Sequence, residues 1–311
     1  MLHRRLVLGF ALAAPFLARR SAMAAGPVPV VASFSVLGDM VRQVGGERVA
    51  VHVIAGPDVD AHSFRPRPSD AQALRGAALV VQNGLGFDGW MDRLANAAGS
   101  GPRRITVTDG LTPRPMPEDS HGHGHGHSHG HSHDHGGQDP HAWQDLRNGQ
   151  HYVRGIAAAL EQADPDGTTF YHERAKAYLA RLDALDDWVR GQIATVPEAR
   201  RKVVTSHDAF GYFGAAYGVS FLAPQGLSTE SEPSAAQVAR LIRLLKREGI
   251  TAVFVENMAN PGTLNRLATE AGVKVRGKLY ADALSGPSGT APDYEAMFRH
   301  NLGLMVPAMR G

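Results

Sequence analysis

The 311 residues contain no cysteine. This excludes disulfides, thiolate metal ligands and a lipid-modified N-terminal cysteine, and it leaves His, Asp and Glu as the strong metal ligands available. Also missing is an apolar run long enough to cross a bilayer. The stretch Leu6 to Ala18 holds about 13 residues, where about 20 are needed. The sequence has no His-Glu-x-x-His signature of a zinc hydrolase, and the third glycine of a dinucleotide fingerprint is absent after Asn83-Gly-Leu-Gly-Phe.

A strongly basic surface is lacking as well, once the N-terminus is set apart. Met1 to Ala25 places His3, Arg4 and Arg5 before the apolar run and ends in Ala22-Met23-Ala24, the pattern of a secretory leader cleaved near Ala24/Ala25 and hence of a periplasmic protein. Arg4-Arg5 leaves both the general secretory and the twin-arginine routes open. The leader carries four of the 32 basic residues and none of the 30 acidic ones, so the remaining chain has a net charge of about −2. A nucleic-acid role has no electrostatic support.

The rest reads as two α/β lobes. Val28–Ala32, Val49–Ile54 and Leu79–Gln82 have the β-branched runs of buried strands, with helices around Val36–Val44, Ser69–Arg75 and Phe87–Ala98 between them. A second series begins at Lys202–Thr205 and continues through Val219–Leu222, Thr251–Val255 and Val273–Val275. Its helices are expected near Ala235–Glu248, Pro261–Ala271 and Tyr294–Met309. Both lobes are expected to carry mostly parallel, Rossmann-like sheets. Between them, Tyr171, Ala175, Tyr178, Leu182, Leu185 and Val189 recur at steps of four and three, which predicts one long rigid helix over Thr168–Val196 of about 40 Å. The implied division is a leader at 1–25, an N-terminal lobe at 26–165 with a histidine-rich loop at 117–138, a connecting helix at 166–197 and a C-terminal lobe at 198–311.

Half of the 16 histidines lie in that loop, at His121, His123, His125, His127, His129, His131, His133 and His135, alternating with Gly, Ser or Asp. Such a run cannot build a core, but its imidazoles offer many interchangeable partial sets for Zn²⁺, Cu²⁺ or Ni²⁺. It is expected to gather metal without selecting it.

A selective site needs ligands held by structure, and in open parallel sheets these lie in loops after the carboxyl ends of strands. Four candidates fit. His62 follows the strand ending at Ile54, His141 lies in Asp139-Pro-His-Ala-Trp, His207 follows Val203-Val204, and Asp282 lies in Tyr280-Ala-Asp-Ala-Leu-Ser after the last strand. Each is a weak signal alone. Two come from each lobe, however, so a metal bound by all four would sit in the interlobe cleft. Asp60, Asp208 and Glu230 are candidates for orienting imidazoles, whereas Glu256, at the end of a hydrophobic strand, reads as structural.

The chain resembles the zinc and manganese solute-binding proteins of ABC importers, cluster A-I or ZnuA-like group, and within it the AztC-type zinc proteins. The likeness rests on Gly56–Pro68, Asn83-Gly-Leu-Gly-Phe, Asp139-Pro-His-Ala-Trp, Ser206-His-Asp-Ala-Phe-Gly-Tyr, Gly226–Ser234, Val255-Glu-Asn and Tyr280-Ala-Asp-Ala-Leu-Ser, in the family's order. It implies two lobes joined by the long helix, and His62, His141, His207 and Asp282 as ligands of a transported Zn²⁺. The partners it implies are a permease and its ATPase, with a periplasmic metallochaperone as a further candidate for loading a monomeric receptor. The third ligand tends to be Glu in manganese-binding relatives, so His207 favours zinc. A manganese receptor, or a metal buffer or adhesin without a transporter, is the alternative. Four protein ligands leave no position for an activated water, so no enzymatic activity is expected.

Overall fold

The computed structural model describes residues 26–99, 101–115, 137–226, 229 and 233–311. The first lobe runs β1 (Val28–Phe34), α1 (Ser35–Gly45), β2 (Val49–Ala55), α2 (Pro68–Gly76), β3 (Leu79–Gln82), α3 (Trp90–Ala98) and β4 (Arg103–Thr106). Its four strands are all parallel in the order β2-β1-β3-β4. After α4 (Leu146–Ala163) and α5 (Thr168–Ala194), the second lobe runs β5 (Lys202–Val204), α6 (Gly211–Tyr217), β6 (Ser220–Leu222), α7 (Ala235–Glu248), β7 (Val253–Glu256), α8 (Pro261–Ala271), β8 (Val275–Leu279) and α9 (Tyr294–Arg310). Its order, β6-β5-β7-β8, is that of the first lobe, again all parallel.

Helix α5 extends over 27 residues, about 40 Å. Tyr171, Ala175, Tyr178, Leu182, Leu185 and Val189 are buried along one face, as the four-and-three spacing predicts. The helix is tied to both lobes. Arg181 donates to Gln43 Oε1 of α1 and to Glu295 Oε1 of α9, both at 2.8 Å, and Tyr217 donates to Asp186 Oδ1 at 2.7 Å. No helix among the described residues is long and apolar enough to cross a membrane.

β4 and α4 escape the periodicity reading. β4, Arg-Arg-Ile-Thr, is an edge strand with partly exposed residues, so it lacks the apolar run of a buried strand. In α4, Gly149 and Gly155 interrupt the helical pattern. Gly149 is required by close packing, since a Cβ there would lie 2.5 Å from the Tyr294 hydroxyl. The last strand also starts later than Val273, because Gly272 closes α8 with φ 76° and the Val273 N–H caps Ala268.

The lobes do not have separate cores. One cluster of buried apolar side chains runs from β1 and α1 through α4 and α5 to Phe254, Leu279 and α9, and a smaller one lies under α7 and α8. Polar contacts follow the same seam. Trp143 Nε1 and Gln144 Nε2 both donate to Ala281 O at 2.9 Å, Leu284 N donates to Ser35 Oγ at 2.9 Å, and Tyr294 N donates to Asp39 Oδ2 at 3.0 Å.

Candidate metal centre

The carboxyl ends of both sheets face the seam, and the loops leaving them bring His62, His141, His207 and Asp282 together, one ligand atom from each lying within 4.8 Å of all the others. His62 enters from the loop after β2 and His207 from the turn after β5. His141 and Asp282 occupy equivalent places, after the fourth strand of each lobe.

The spacing suits a small cation. His62 Nε2 lies 3.2 Å from His141 Nε2 and 3.3 Å from Asp282 Oδ2, His207 Nε2 lies 3.0 Å from Asp282 Oδ2, and His141 Nε2 lies 3.6 Å from Asp282 Oδ1. Tetrahedral ligands at about 2.0–2.1 Å from Zn²⁺ stand about 3.3–3.4 Å apart. The His207–Asp282 approach lacks the alignment of a hydrogen bond. His207 Nε2 and both Asp282 oxygens are buried with no hydrogen-bond partner. Buried polar atoms are rarely left so, and three around one point are the donor set a metal would satisfy.

Outer carboxylates fix two of the rings. Asp139 Oδ1 lies 2.8 Å from His141 Nδ1 and accepts from the His141 backbone N–H at 3.0 Å. Glu256 Oε2 pairs with His207 Nδ1, while its Oε1 accepts from the backbone N–H groups of Ser206 and His207 at 2.9 and 3.2 Å. With Nδ1 donating to its carboxylate, each ring aims Nε2 at the centre, the nitrogen a metal would take. His62 has no such carboxylate on Nδ1 among the described residues. Its ring is held edge-on by Phe87, with centroids 4.7 Å apart, and its side chain keeps 6% exposure against 0% for the other three.

Charge follows this arrangement. Burial lowers the pKa of His62 against the pull of Asp282. Burial would lower His207 too, but the Glu256 and Asp282 carboxylates override it and hold the ring well above the usual imidazole range. Burial would raise Asp282, yet His207 and His141 keep its carboxyl well below the ordinary carboxylate range.

The remaining candidates fall differently. Among the described residues no hydrogen bond or ion pair joins the Asp60 carboxylate to an imidazole; it accepts from the His62 backbone N–H at 2.9 Å, from Ser63 at 2.8 Å and, across the seam, from Thr229 at 2.7 Å. The Asp208 backbone N–H donates to Gly226 O at 3.1 Å, and burial raises its carboxyl pKa, but among the described residues no hydrogen bond joins that carboxyl to a ring. Glu230 and the histidine-rich run lie outside the described residues. Glu256, read as structural from the sequence, is instead the partner of His207. The pattern gives no hint of this, because a glutamate ending a strand has the same one-dimensional signature wherever its side chain points.

Comparison with known proteins is consistent across sequence and structure. The manganese-binding lipoprotein MntA of Halalkalibacterium halodurans is 33% identical over 280 residues, 90% of this chain and 88% of that one. The iron-binding protein YfeA of Yersinia pestis is 28% identical over 265 residues, 85% of this chain and 81% of that one. Among solved structures, the periplasmic zinc binding protein TroA from Treponema pallidum superposes with a TM-score of 0.81 at 27% identity, covering 92% of this chain and all of TroA. A manganese-bound periplasmic metal binding protein from Candidatus Liberibacter asiaticus gives 0.77 at 26% identity, over 90% of this chain and 98% of that one. Residues 30–308 match the model of the zinc-uptake complex component A periplasmic family, ZnuA, and the chain belongs to that family.

Proposed function

We propose that this protein is the periplasmic receptor that captures Zn²⁺ on His62, His141, His207 and Asp282 and delivers it to the permease and ATPase of an ABC importer. The observation that carries the reading is the convergence of three imidazole nitrogens and one carboxylate, within 4.8 Å of one another, in a buried seam. A set of three nitrogens and one oxygen suits borderline-soft Zn²⁺, whereas hard Mn²⁺ prefers more oxygen. The cation is cargo, and four protein ligands close its coordination without a position for reactive water, so the protein acts by binding. Within the family the reading is that of a cluster A-I, AztC-type zinc receptor, exported by a leader cleaved near Ala24/Ala25, acting as a monomer and loaded directly or by a metallochaperone.

A manganese receptor is the second reading, favoured by the likeness to the manganese-binding MntA lipoproteins of Halalkalibacterium halodurans and Bacillus subtilis. Competing titration of the metal-free protein with Zn²⁺ and Mn²⁺ decides between them. Zinc is expected to bind at one tight site and to displace manganese, and His207→Ala is expected to abolish that site. Tight stoichiometric zinc binding by His207→Ala would refute the ligand assignment. Preference for manganese would refute zinc as cargo.

A further inference from the structure

Two residues beside the centre supply none of the converging ligand atoms, yet their contacts reach the loops carrying three of the four candidate ligands. They are Glu256, the last residue of β7, and Asn257, which follows it. Glu256 spends both oxygens on the His207 turn: one on the backbone N–H groups of Ser206 and His207, the other on the ring Nδ1. Asn257 is anchored by its own N–H to Leu279 O at 3.0 Å. Its side-chain amide then donates in two directions. One bond, 3.2 Å, goes to Ala283 O beside Asp282, and the other, 2.8 Å, goes to Asp58 Oδ1 in the loop that carries His62. Asp58 stands at φ 55°, left-handed for a non-glycine residue, and its N–H donates to Leu284 O at 2.9 Å. The first lobe repeats half of the device. Asn83, directly after the equivalent strand β3, donates to Pro140 O at 3.0 Å, one residue before His141.

We infer that Glu256 and Asn257 are positioning residues of the metal centre: Glu256 fixes the His207 ring with Nδ1 on its carboxylate and Nε2 turned to the centre, and Asn257 locks the His62 loop to the Asp282 loop. The inference rests on the four-ligand reading and adds what sets the geometry of those ligands.

The chemistry of Glu256 makes it testable by an isosteric change. Its two oxygens accept from three N–H groups, and a carboxamide has one acceptor oxygen. In Glu256→Gln, an amide oxygen kept on the two backbone N–H groups turns the NH₂ toward His207 Nδ1. That nitrogen must then accept, and the ring proton moves to Nε2, the metal-binding atom. In the flipped orientation the NH₂ opposes the two backbone donors. Either orientation weakens zinc binding, by about 10–100-fold on the usual scale for outer partners of metal-binding histidines. Asn257→Ala removes both amide bonds while leaving the ring partners of His207 untouched, so its effect should fall on release.

The experiment measures zinc affinity by chelator competition, zinc release by stopped-flow with excess chelator, and melting of the metal-free protein, for wild type, Glu256→Gln, Asn257→Ala and His207→Ala. Glu256→Gln should lose about 10–100-fold in affinity, and Asn257→Ala should release zinc about tenfold faster, while both metal-free variants still melt cooperatively as folded proteins. In the zinc-loaded wild type, NMR should show the His207 Nδ1 proton protected from exchange and the His62 ring proton exchanging freely; this needs no variant to fold. Wild-type affinity in Glu256→Gln, wild-type release in Asn257→Ala, or a His207 proton exchanging as fast as that of His62 would each overturn the inference. Failure of the underlying reading looks different: His207→Ala would then keep tight binding.

Discussion

Replacing Asp39 by Asn should stabilise the metal-free protein at pH 8 and do so much less at pH 5. Asp39 lies in α1, 7% exposed, where its carboxylate accepts from the Tyr294 N–H of α9 at 3.0 Å and from Gln43 Nε2 at 3.2 Å. Burial pushes its pKa from 3.8 up to about 6, against the lowering pull of those two bonds. The folded chain therefore keeps a proton that the unfolded chain gives up between those values. Its stabilising contribution is whole below pH 3.8 and is lost as pH rises through about 6. At about 1.4 kcal/mol per pKa unit, the ionised carboxylate costs about 3 kcal/mol at pH 8 and about half of that at pH 5. Asn keeps an acceptor for Tyr294 but opposes Gln43, whose oxygen Arg181 holds at 2.8 Å. Losing that bond costs about 1 kcal/mol. The net gain is about 2 kcal/mol at pH 8 and under about 1 kcal/mol at pH 5, read by urea unfolding in the presence of a chelator. A variant less stable than wild type at pH 8, or equally shifted at both pH values, would refute the reasoning.

Zinc binding should expel protons at neutral pH, because His207, held protonated by Glu256 and Asp282 despite its burial, must lose a proton before Nε2 can bind. Calorimetry in buffers of different ionisation heat should find at least one proton released per zinc at pH 7, with affinity falling about tenfold per unit as pH drops; zero release would contradict this. The same shift has the opposite effect without metal. Stability conferred by the His207 ion pairs is full below about pH 6.5 and declines as pH rises through the raised folded value, so chelated and zinc-loaded samples should show opposite pH slopes in thermal melts. Deleting Ser120–Gly137 should leave the tight site intact and remove only weaker additional zinc binding in the same titration. Loss of the tight site would end the separation of histidine-rich loop from selective centre.

Where the sequence was legible, a single physical signal dominated. The buried face of α5 is visible because Tyr171 to Val189 keep helical spacing without interruption, and the four side chains that converge are visible as candidates because parallel sheets direct function to the loops at their carboxyl ends. The less legible features depend on contacts across long sequence distances. Glu256 reaches a ring 49 residues away, and Asn257 bonds Asp58 across 199 residues. No local period encodes either. Asp139 lies within a recognised motif, two residues from His141, yet a carboxylate at that spacing reads equally well as a turn residue until the bond to Nδ1 is seen. β4 was hidden because an edge strand needs little apolar character.

The main cluster, shared across the seam, has a mechanical consequence for how the centre could open. Parting the lobes to expose even about 400 Å² of apolar face on each side would cost about 20 kcal/mol at about 25 cal/mol per Å². The loop bearing His62 is held across the seam by the Asp58 N–H on Leu284, the Asn257 amide on Asp58 and the Thr229 hydroxyl on Asp60, ties worth about 1 kcal/mol each. The cheaper path by far is to lift that one strap while the body stays shut. His62, the one of the four converging side chains whose ring has no carboxylate brace among the described residues and keeps some exposure, is the button such a movement would undo.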